Sequence, residues 1–534
     1  MAVAPTKRRY PEQSFIELRE LAMTILFFLR LRTEGGLHVG NARGARDIGM
    51  HRAVARVAAT RGYKGVRMSG RRFSIRALAS VALFATATSL GAAQFPIPDL
   101  GYGGIGDSIA RIPVASVPAD NAFVQHAVVQ ADGRLVLVGS TKTSVGGNST
   151  SQLVLARFDA QGLVDTGFGT DHDGLYRTAF FDNNNGLGGF GDVAQTGDDK
   201  LVYTGHGSPA TIIVGRLNAD GTPDESFGSG GRRLIGASAL VDGAIDATFI
   251  ALLPLKGGKT LALGVALVQT SATTYNAFGC AMRLTADGST DTSFGTAGRT
   301  CIAPTLTSGA TSVTAAGHVL ADGRILLAGA SVHSGGSGSD MSVARLAADG
   351  TLDTSFGPDH DGWAFVAFDQ GGTLNDPATS IALDATGRIL LAGSFETAEG
   401  SDIAVARLLS DGRPDLSFGT QGRVQIALTS GSNHVDQANS IAALPNGGIL
   451  VGALVNGQGG VTIALKPDGT LDSGFGVGGF YYQPQATPPV RSRQQILAGD
   501  YLYWAGDSVN INGHSDFAAM RAVMPLFANG FDQP

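Results

Sequence analysis

Short apolar runs recur along the chain, and each one follows a turn signature such as Asp-Gly, Thr-Gly or Asn-Gly. A turn followed by an uninterrupted apolar run is typical of a strand buried on both faces. The copies occupy residues 132–139, 198–205, 257–264, 322–329, 386–393, 446–453 and 498–506. Seven buried strands of one kind indicate a protein built from repeats.

A second strand-like segment follows each run. Its copies lie at 153–158, 212–217, 280–284, 342–346, 403–408, 461–465 and 517–522. Six of them lead into a turn that ends in Phe-Gly, and these phenylalanines are 57 to 67 residues apart. They are Phe168, Phe227, Phe294, Phe356, Phe418 and Phe475. A spacing of this size corresponds to one supersecondary unit.

A further strand candidate follows Phe-Gly, as in residues 362–368 and 422–428, which gives four strands per unit. Four-stranded units in series predict an all-β fold, a seven-bladed β-propeller over 94–525. Residues 107–114 are expected to supply the leading strand of the first unit, after a degenerate Phe-Gly analogue at 99–104. Material from both ends would let the ring close without an exposed edge. The alternative is an open solenoid.

An arginine and an aspartate stand eight residues apart around the Phe-Gly turn. The pairs are Arg157 and Asp165, Arg216 and Asp224, Arg283 and Asp291, Arg345 and Asp353, and Arg407 and Asp415. The sixth copy keeps Asp472 but has Ala464 in place of arginine. We interpret the pattern as structural: the aspartate bonds nearby amides and the arginine, and the phenylalanine fills the gap between blades.

The runs VARLAADGTLDTSFG (343–357) and VARLLSDGRPDLSFG (405–419) resemble the delta-60 repeat family. The resemblance covers about residues 95–525. It implies a propeller-like, exported bacterial protein and supplies no catalytic residues. The seventh copy departs from the pattern, because residues 520–534 lack the Asp-x-Ser-Phe-Gly turn.

Residues 68–93 have the layout of a signal peptide: arginines, an uncharged run and small residues that end at Ala93. This segment predicts export to the periplasm, cell surface or medium of a Gram-negative bacterium. Residues 1–67 are interpreted as a non-native upstream extension with translation starting at Met68, or as a disordered, cytoplasmic or membrane-surface segment. Residues 526–534 form a short tail.

Charge is divided unevenly along the chain. Residues 1–93 hold 16 Lys and Arg against 5 Asp and Glu, so the remainder carries about −17 of charge. Such a surface repels nucleic acid and anionic lipid. Two cysteines, Cys280 and Cys301, are too few for a framework of several disulfides. Whether these two pair depends on how the chain runs between them.

Two acidic patterns are candidates for binding. The first lies near the start of one strand in several units and comprises Asp120, Asp192, Asp246, Asp376 and Asp436. These residues would line one end of the ring or cap the strand entries. The second is an Asp-His-Asp-Gly insertion after Phe-Gly, where calcium is a candidate ligand of Asp171, Asp173, Asp359 and Asp361. A turn capped by two aspartates explains the insertion equally well.

We therefore expect a monomeric binding or structural module that recognises a glycan or a protein surface. Loops rich in Ser, Gly and Asn, such as 141–152, 331–340 and 508–516, suit adaptable hydrogen bonding. The alternative is an extracellular polysaccharide hydrolase or lyase that uses the first acidic set as catalysts. No serine nucleophile, zinc or phosphate-loop motif is present in the sequence.

Overall fold

The computed structural model describes the carboxyl-terminal part of the chain as strands joined by turns. The described ranges are 96–104, 108–114, 121–145, 148–179, 191–207, 210–272, 274–303, 312–332, 338–368, 375–429, 433–455, 459–484, 490–509 and 515–524. Within them there is no α-helix, only 3₁₀ turns at Ala237–Ala239 and Lys256–Gly258. Accordingly, no helix of these ranges is long and apolar enough to cross a bilayer. The predicted signal peptide, the segment before it and the tail lie outside the described residues.

Strands follow one another in chain order and pair into sheets, which we number 1 to 7. Two short strands come first, β1 (Ile97–Pro98) and β2 (Ile109–Ile112). Sheet 1 contains β3 (Asn121–Val129), β4 (Leu135–Val145), β5 (Asn148–Phe158) and β6 (Leu175–Ala179). Sheet 2 contains β7 (Asp192–Gln195), β8 (Leu201–Gly207), β9 (Thr211–Leu217) and β10 (Arg232–Gly236). Sheet 3 contains β11 (Ala244–Pro254), β12 (Thr260–Gln269), β13 (Tyr275–Leu284) and β14 (Arg299–Ile302).

The remaining strands repeat this arrangement. Sheet 4 contains β15 (Ser312–Val319), β16 (Ile325–Ser331), β17 (Asp340–Leu346) and β18 (Trp363–Val366). Sheet 5 contains β19 (Ala378–Leu383), β20 (Ile389–Thr397), β21 (Gly400–Leu408) and β22 (Arg423–Ile426). Sheet 6 contains β23 (His434–Ala443), β24 (Ile449–Val455), β25 (Gly459–Leu465) and β26 (Phe480–Tyr482). Sheet 7 contains β27 (Val490–Ala498), β28 (Tyr501–Val509) and β29 (Ser515–Val523).

Each sheet is an antiparallel meander in which strands adjacent in sequence are adjacent in space. A short parallel pairing of β21 with β23 also joins sheets 5 and 6. The strand after Phe-Gly is the fourth strand of the sheet that precedes it, as β6 pairs with β5. The units defined from the sequence begin with the strand after Phe-Gly. The boundaries of these units are therefore displaced by one strand from the boundaries of the sheets.

Both ends of the described chain contribute to sheet 7. β29 pairs on one side with β28 and on the other with β1 and β2, from Ile97↔Val523 to Ile112↔Phe517. The strand β2, in the segment 107–114 that leads the first sequence unit, lies at the outer side of the last sheet, as the displacement by one strand requires. The amino-terminal residues thus cover a strand edge that β29 would otherwise expose.

The second and third strands of each sheet are buried on both faces, as the apolar runs predict. In β16, for example, five consecutive residues from Ile325 are buried, and β17 has six from Met341. Their side chains pack against the neighbouring sheets in apolar clusters. One cluster lies between each pair of consecutive sheets, and another joins sheet 7 to sheet 1 through Tyr503, Phe517, Leu137 and Val154. Burial of both faces by neighbours explains the absence of an alternating polar pattern.

The two cysteines form a disulfide across adjacent strands of sheet 3. Cys280 on β13 lies directly opposite Cys301 on β14, with their Cα atoms 4.1 Å apart. The alternative in which the chain carried the second cysteine away from the first is wrong, because β14 turns back along β13.

A β-bulge in the first strand explains the glycine that ends most of the apolar runs. In sheet 4 the pairing with β16 skips one residue of β15 between Thr314 and Ala316. The skipped residue brings the β15 backbone so close that a Cβ on Gly329 would lie 1.7 Å from the Val313 carbonyl oxygen. Equivalent glycines, with such distances of 1.9 to 2.1 Å, are Gly139, Gly264, Gly393 and Gly506. In sheet 6 the residue opposite the bulge is Ala453, so the backbone of β23 must lie further from β24 there.

We predict that Gly329→Ala destabilises the protein by about 1–3 kcal/mol, because the new methyl group overlaps the Val313 carbonyl. Gly197→Ala is the matched control, since Gly197 is exposed and a Cβ there has no neighbour within 4 Å. Equilibrium unfolding in urea measures both variants. Equal midpoints for the two would contradict the steric explanation.

Candidate functional site

The arginine, aspartate and phenylalanine that recur in the sequence meet in the structure, and we call this constellation the Arg–Asp–Phe motif. In the five copies that have arginine, its Nε donates to the aspartate Oδ2 at 2.6–2.8 Å. The guanidinium carbon lies 4.3–5.0 Å from the centre of the phenylalanine ring, a cation–π distance. These five rings are completely buried. The charge is thereby held on an apolar surface and neutralised by the aspartate.

Asp165, the aspartate of the first copy, is the most exposed of the five. Its side chain is 19% exposed, whereas that of Asp224 in the second copy is 6% exposed. The second copy has Ser226 two residues further on, where the first has Gly167. The serine does not by itself set the exposure, because Asp353, which Ser355 bonds in the same way, is 16% exposed. Ser226 donates both its amide and its hydroxyl to Asp224, whereas Gly167 offers Asp165 only an amide, at 3.0 Å. Asp165 keeps its 2.8 Å bond to Arg157 but is less enclosed than Asp224.

The motif also reaches the next sheet. Arg407 Nη1 donates to the carbonyl of Pro467, in the turn after the third strand of sheet 6. The amide of Gly419, which follows Phe418, donates to the carbonyl of Asp468 in that turn at 2.8 Å. Gly469 completes the turn, and a Cβ there would lie 2.9 Å from the Gly419 nitrogen. The Asp-Gly of one unit is therefore the docking surface for the Phe-Gly of the unit before it.

Sheets 7 and 1 are joined by a version of the motif whose parts come from opposite ends of the chain. Arg521 of β29 donates to Asp99 at 2.6 and 2.9 Å, and its guanidinium lies 4.4 Å from the Tyr102 ring centre. Arg521 Nη1 donates to the Ala160 carbonyl at 2.6 Å, and the Gly103 amide to Gln161 at 2.9 Å. The segment 99–104 thus supplies the aspartate and the aromatic ring of this version of the motif.

A second cation faces the motif aspartate in the first five sheets. It comes from the turn before the second strand and is Arg134, Lys200, Lys259, Arg324 or Arg388, at 2.7–3.7 Å from the carboxylate. Burial by itself would raise the pKa of Asp224. Hydrogen bonds from Lys200, Ser226 and Arg216 outweigh that effect and hold this pKa well below its usual range. The carboxylate of Asp224 is therefore charged at every physiological pH.

The first acidic candidate set does not occupy one open face. Asp376 and Asp436 are completely buried and accept backbone amides: Asp376 from Phe368, and Asp436 from Leu428 and Thr429. Asp192 is also buried and accepts the Leu252 amide of sheet 3. These contacts favour the capping role over contact with a ligand.

The two remaining members of the set differ from those three. Asp246 pairs with His206 at 2.9 Å, and its side chain is 44% exposed. Asp120 lies outside the described residues. Direct contact with a ligand therefore stays a prediction for this pair.

Side chains of the first strands link neighbouring sheets. His126 of sheet 1 pairs with Asp192 of sheet 2 and contacts the amide of Gln494 from sheet 7 at 2.8 Å. Gln494 also accepts the Ala127 amide at 2.6 Å. Sheet 5 is linked to sheet 6, and sheet 6 to sheet 7, by Thr379 donating to Ala438 and Asn439 donating to Arg493. Polar side chains near the bulges therefore serve mainly to bond neighbouring sheets to each other.

Two arginines on β27 are exceptions, and sequence reasoning missed them. The side chains of Arg491 and Arg493 are 59% and 40% exposed, and both approach the completely buried carboxylate of Asp507, at 3.8 and 3.3 Å. Burial raises the pKa of Asp507, although both arginines oppose this. The Arg-x-Arg spacing in a strand was the available signal, since alternate residues share a face.

The calcium candidates lie on the turns that follow two Phe-Gly pairs. Asp173 accepts the Leu175 amide and pairs with Arg177 at 2.7 Å, and Asp361 accepts the Trp363 amide. Asp171 and Asp359 are exposed. In the part of the chain that the structure describes, no group of three or more His, Cys, Asp or Glu side chains is placed to hold a metal. Calcium binding at these turns stays a prediction.

We predict that Arg407→Ala and Arg521→Ala each destabilise the protein by about 2–4 kcal/mol, because each removes a guanidinium that bonds both a carboxylate and a main-chain carbonyl of another sheet. Arg413→Ala, which removes an exposed pair with Asp411, should leave the free energy of unfolding almost unchanged. Denaturant unfolding of the three variants measures this. A neutral Arg521→Ala would show that the two chain ends are not held together by this motif.

Asp224 gives a prediction for acid stability. Its pKa is depressed in the folded state, so its contribution is complete above the unfolded pKa near 4 and is lost as the pH falls below that value. Asp224→Asn should therefore flatten the decline in unfolding free energy between about pH 5 and pH 2. Asp242→Asn, at a side chain that is 98% exposed, should retain the wild-type slope. The same slope in both variants would contradict the assignment.

Comparisons with known proteins agree with the repeat architecture. Residues 130–168, 196–227, 320–356 and 385–418 match the family described as "Domain of unknown function (DUF5122) beta-propeller". No curated protein matches the chain.

Similar solved structures include a protein of unknown function from Dyadobacter fermentans (12% identity, 78% of this chain and 99% of that chain, TM-score 0.38). They also include the polysaccharide lyase Uly1 (10%, 77% and 91%, TM-score 0.44) and an endo-arabinanase from Bacillus licheniformis (13%, 52% and 92%, TM-score 0.28). The four matched segments each contain an apolar run and end at the phenylalanine of a Phe-Gly turn, and the chain is a β-propeller repeat protein.

Proposed function

We propose that sheets 1 to 7 are the blades of a closed seven-bladed propeller. Support comes from the apolar cluster between sheets 7 and 1, which matches those between consecutive sheets in kind. Further support comes from the Arg521–Asp99 pair and from Gln494, which bonds the first strand of sheet 1. In a closed ring every blade has two neighbours, so no blade face is left to solvent.

We further propose that the protein is exported and acts as a monomer that binds an acidic glycan. The exposed pair Arg491 and Arg493 carries this proposal. A guanidinium group forms two parallel hydrogen bonds to a carboxylate or sulfate, and two of them on one strand would read successive acidic groups. Residues 94–534 carry about −17 of charge in total, and these arginines would form a local attractive site on a chain that otherwise repels anions.

The hydrolase or lyase alternative has less support. It requires carboxylates that reach a sugar, and Asp192, Asp376 and Asp436 are buried and bonded to main-chain amides. A glycosidase needs two carboxyl groups about 5–10 Å apart around the scissile bond. Of the four acidic candidates that the structure describes, Asp246 alone has a side chain more than a third exposed.

The purified protein should bind uronate-containing or sulfated oligosaccharides on a glycan array and leave neutral ones unbound. Arg491→Ala with Arg493→Ala should weaken this binding at least tenfold, since each charged pair contributes about 1–3 kcal/mol. Arg413→Ala, an exposed arginine of sheet 5 far along the chain, is the matched control and should bind like the wild type.

A reducing-sugar and unsaturated-uronate assay on the bound oligosaccharides separates binding from catalysis. Retention without release of product is the expected result. Product release that Asp246→Asn abolishes, with folding intact, would replace the binding proposal with the enzymatic one. Equal binding by the wild type and the double arginine variant would contradict the proposal that Arg491 and Arg493 bind the glycan.

A further inference from the structure

Sheet 6 lacks both cations that neutralise the motif aspartate in sheets 1 to 5. Ala464 occupies the position of the motif arginine, and Gly448 occupies the position of the second cation, where the preceding sheet has Arg388. Asp472, the aspartate of this copy, accepts the Gly474 amide at 3.1 Å. Among the described residues no lysine, arginine or histidine forms an ion pair with it. One motif carboxylate in the described part therefore stands without a basic counterion.

The frame around the missing side chain is otherwise conserved. The Asp472 amide donates to the Ala464 carbonyl at 2.9 Å, as the Asp415 amide donates to Arg407 at 3.0 Å. Phe475 is 1% exposed, so its ring is buried like the other motif phenylalanines. The backbone thus holds the acid and the ring in the same relation as in the copies that contain arginine.

A cavity occupies the place of the absent arginine. Its wall includes Ala464, Gly448, Asp472 and Phe475, and Leu444 and Leu450 provide apolar sides. Lys466 also borders it but forms no ion pair with Asp472. Asp472 is half-buried, so a solute can reach its carboxylate.

We propose that this cavity binds a guanidinium group, either of a small molecule or of an arginine side chain from another protein. In sheets 1 to 5 the same acid and ring hold a guanidinium at 2.6–2.8 Å and 4.3–5.0 Å, which defines the position of the ligand. A planar cation there would donate to Asp472 beside the Phe475 ring. Leu444 and Leu450 would contact the attached alkyl chain. The site is separate from Arg491 and Arg493 and does not depend on glycan binding.

The proposal is tested by calorimetry and by NMR titration of the purified protein. The probes are guanidinium chloride and agmatine at low millimolar concentration, with sodium chloride and putrescine as controls, and a short arginine peptide beside its lysine counterpart. Saturable binding of guanidinium probes, at least tenfold tighter than that of the amine controls, is expected. Tighter binding of agmatine indicates a small-molecule ligand, and tighter binding of the peptide indicates a protein partner.

Three variants locate the site. Asp472→Asn should weaken binding at least tenfold, and Ala464→Arg should abolish it by filling the cavity with the protein's own guanidinium. If Ala464→Arg does not fold, Ala464→Leu fills the same space without charge and should also abolish binding. Arg407→Ala opens a matching cavity in sheet 5 and should gain a second, weaker site, because Arg388 still faces Asp415. No saturable binding to the wild type, or unchanged binding in Asp472→Asn, would overturn the proposal.

Discussion

The arginine that links the third strand to the following sheet in sheets 1, 3, 4 and 5, and sheet 7 to sheet 1, is the interaction on which the rest of the structure depends. A single guanidinium, as in Arg345, satisfies the aspartate of its own unit, covers its phenylalanine and donates to a carbonyl of the next sheet. Sheets that meet only through apolar side chains would be free to slide, since apolar contact is not directional. A hydrogen bond from a planar, rigid donor fixes the distance and the register between them.

The same interaction explains why the two ends of the chain must come together. A repeat array has two unpaired faces, and each would leave apolar side chains and main-chain groups in water. Here β1 and β2 complete sheet 7, while Asp99 and Tyr102 supply what Arg521 needs. The contact joins residues 422 positions apart, so the two ends of the described chain share one sheet and one motif.

Positions that differ between equivalent sheets are the candidates for ligand binding. Buried aspartates such as Asp376 and Asp436 are used to hold loops and strands together, which leaves little acidic chemistry for a ligand. Arg491 and Arg493 remain exposed, and sheet 6 keeps Asp472 and Phe475 without an arginine between them. Each of these positions differs from its counterparts in the other sheets, whereas the shared residues serve the assembly.

The sequence by itself determined the all-β class, the repeat and the buried strands, because turn residues and apolar runs are local signals that need no partner to be recognised. It also indicated the Arg–Asp pairing, since an eight-residue separation across one turn is still local, although it did not reveal that Asp165 is less enclosed than Asp224. Only the tertiary structure decided the bond between Cys280 and Cys301 and the placement of β2 beside β29. These depend on which strands become neighbours, and that is set by packing over distances that no local pattern records. For the same reason the burial of the acidic candidates and the cavity beside Ala464 became visible only once the sheets were assembled.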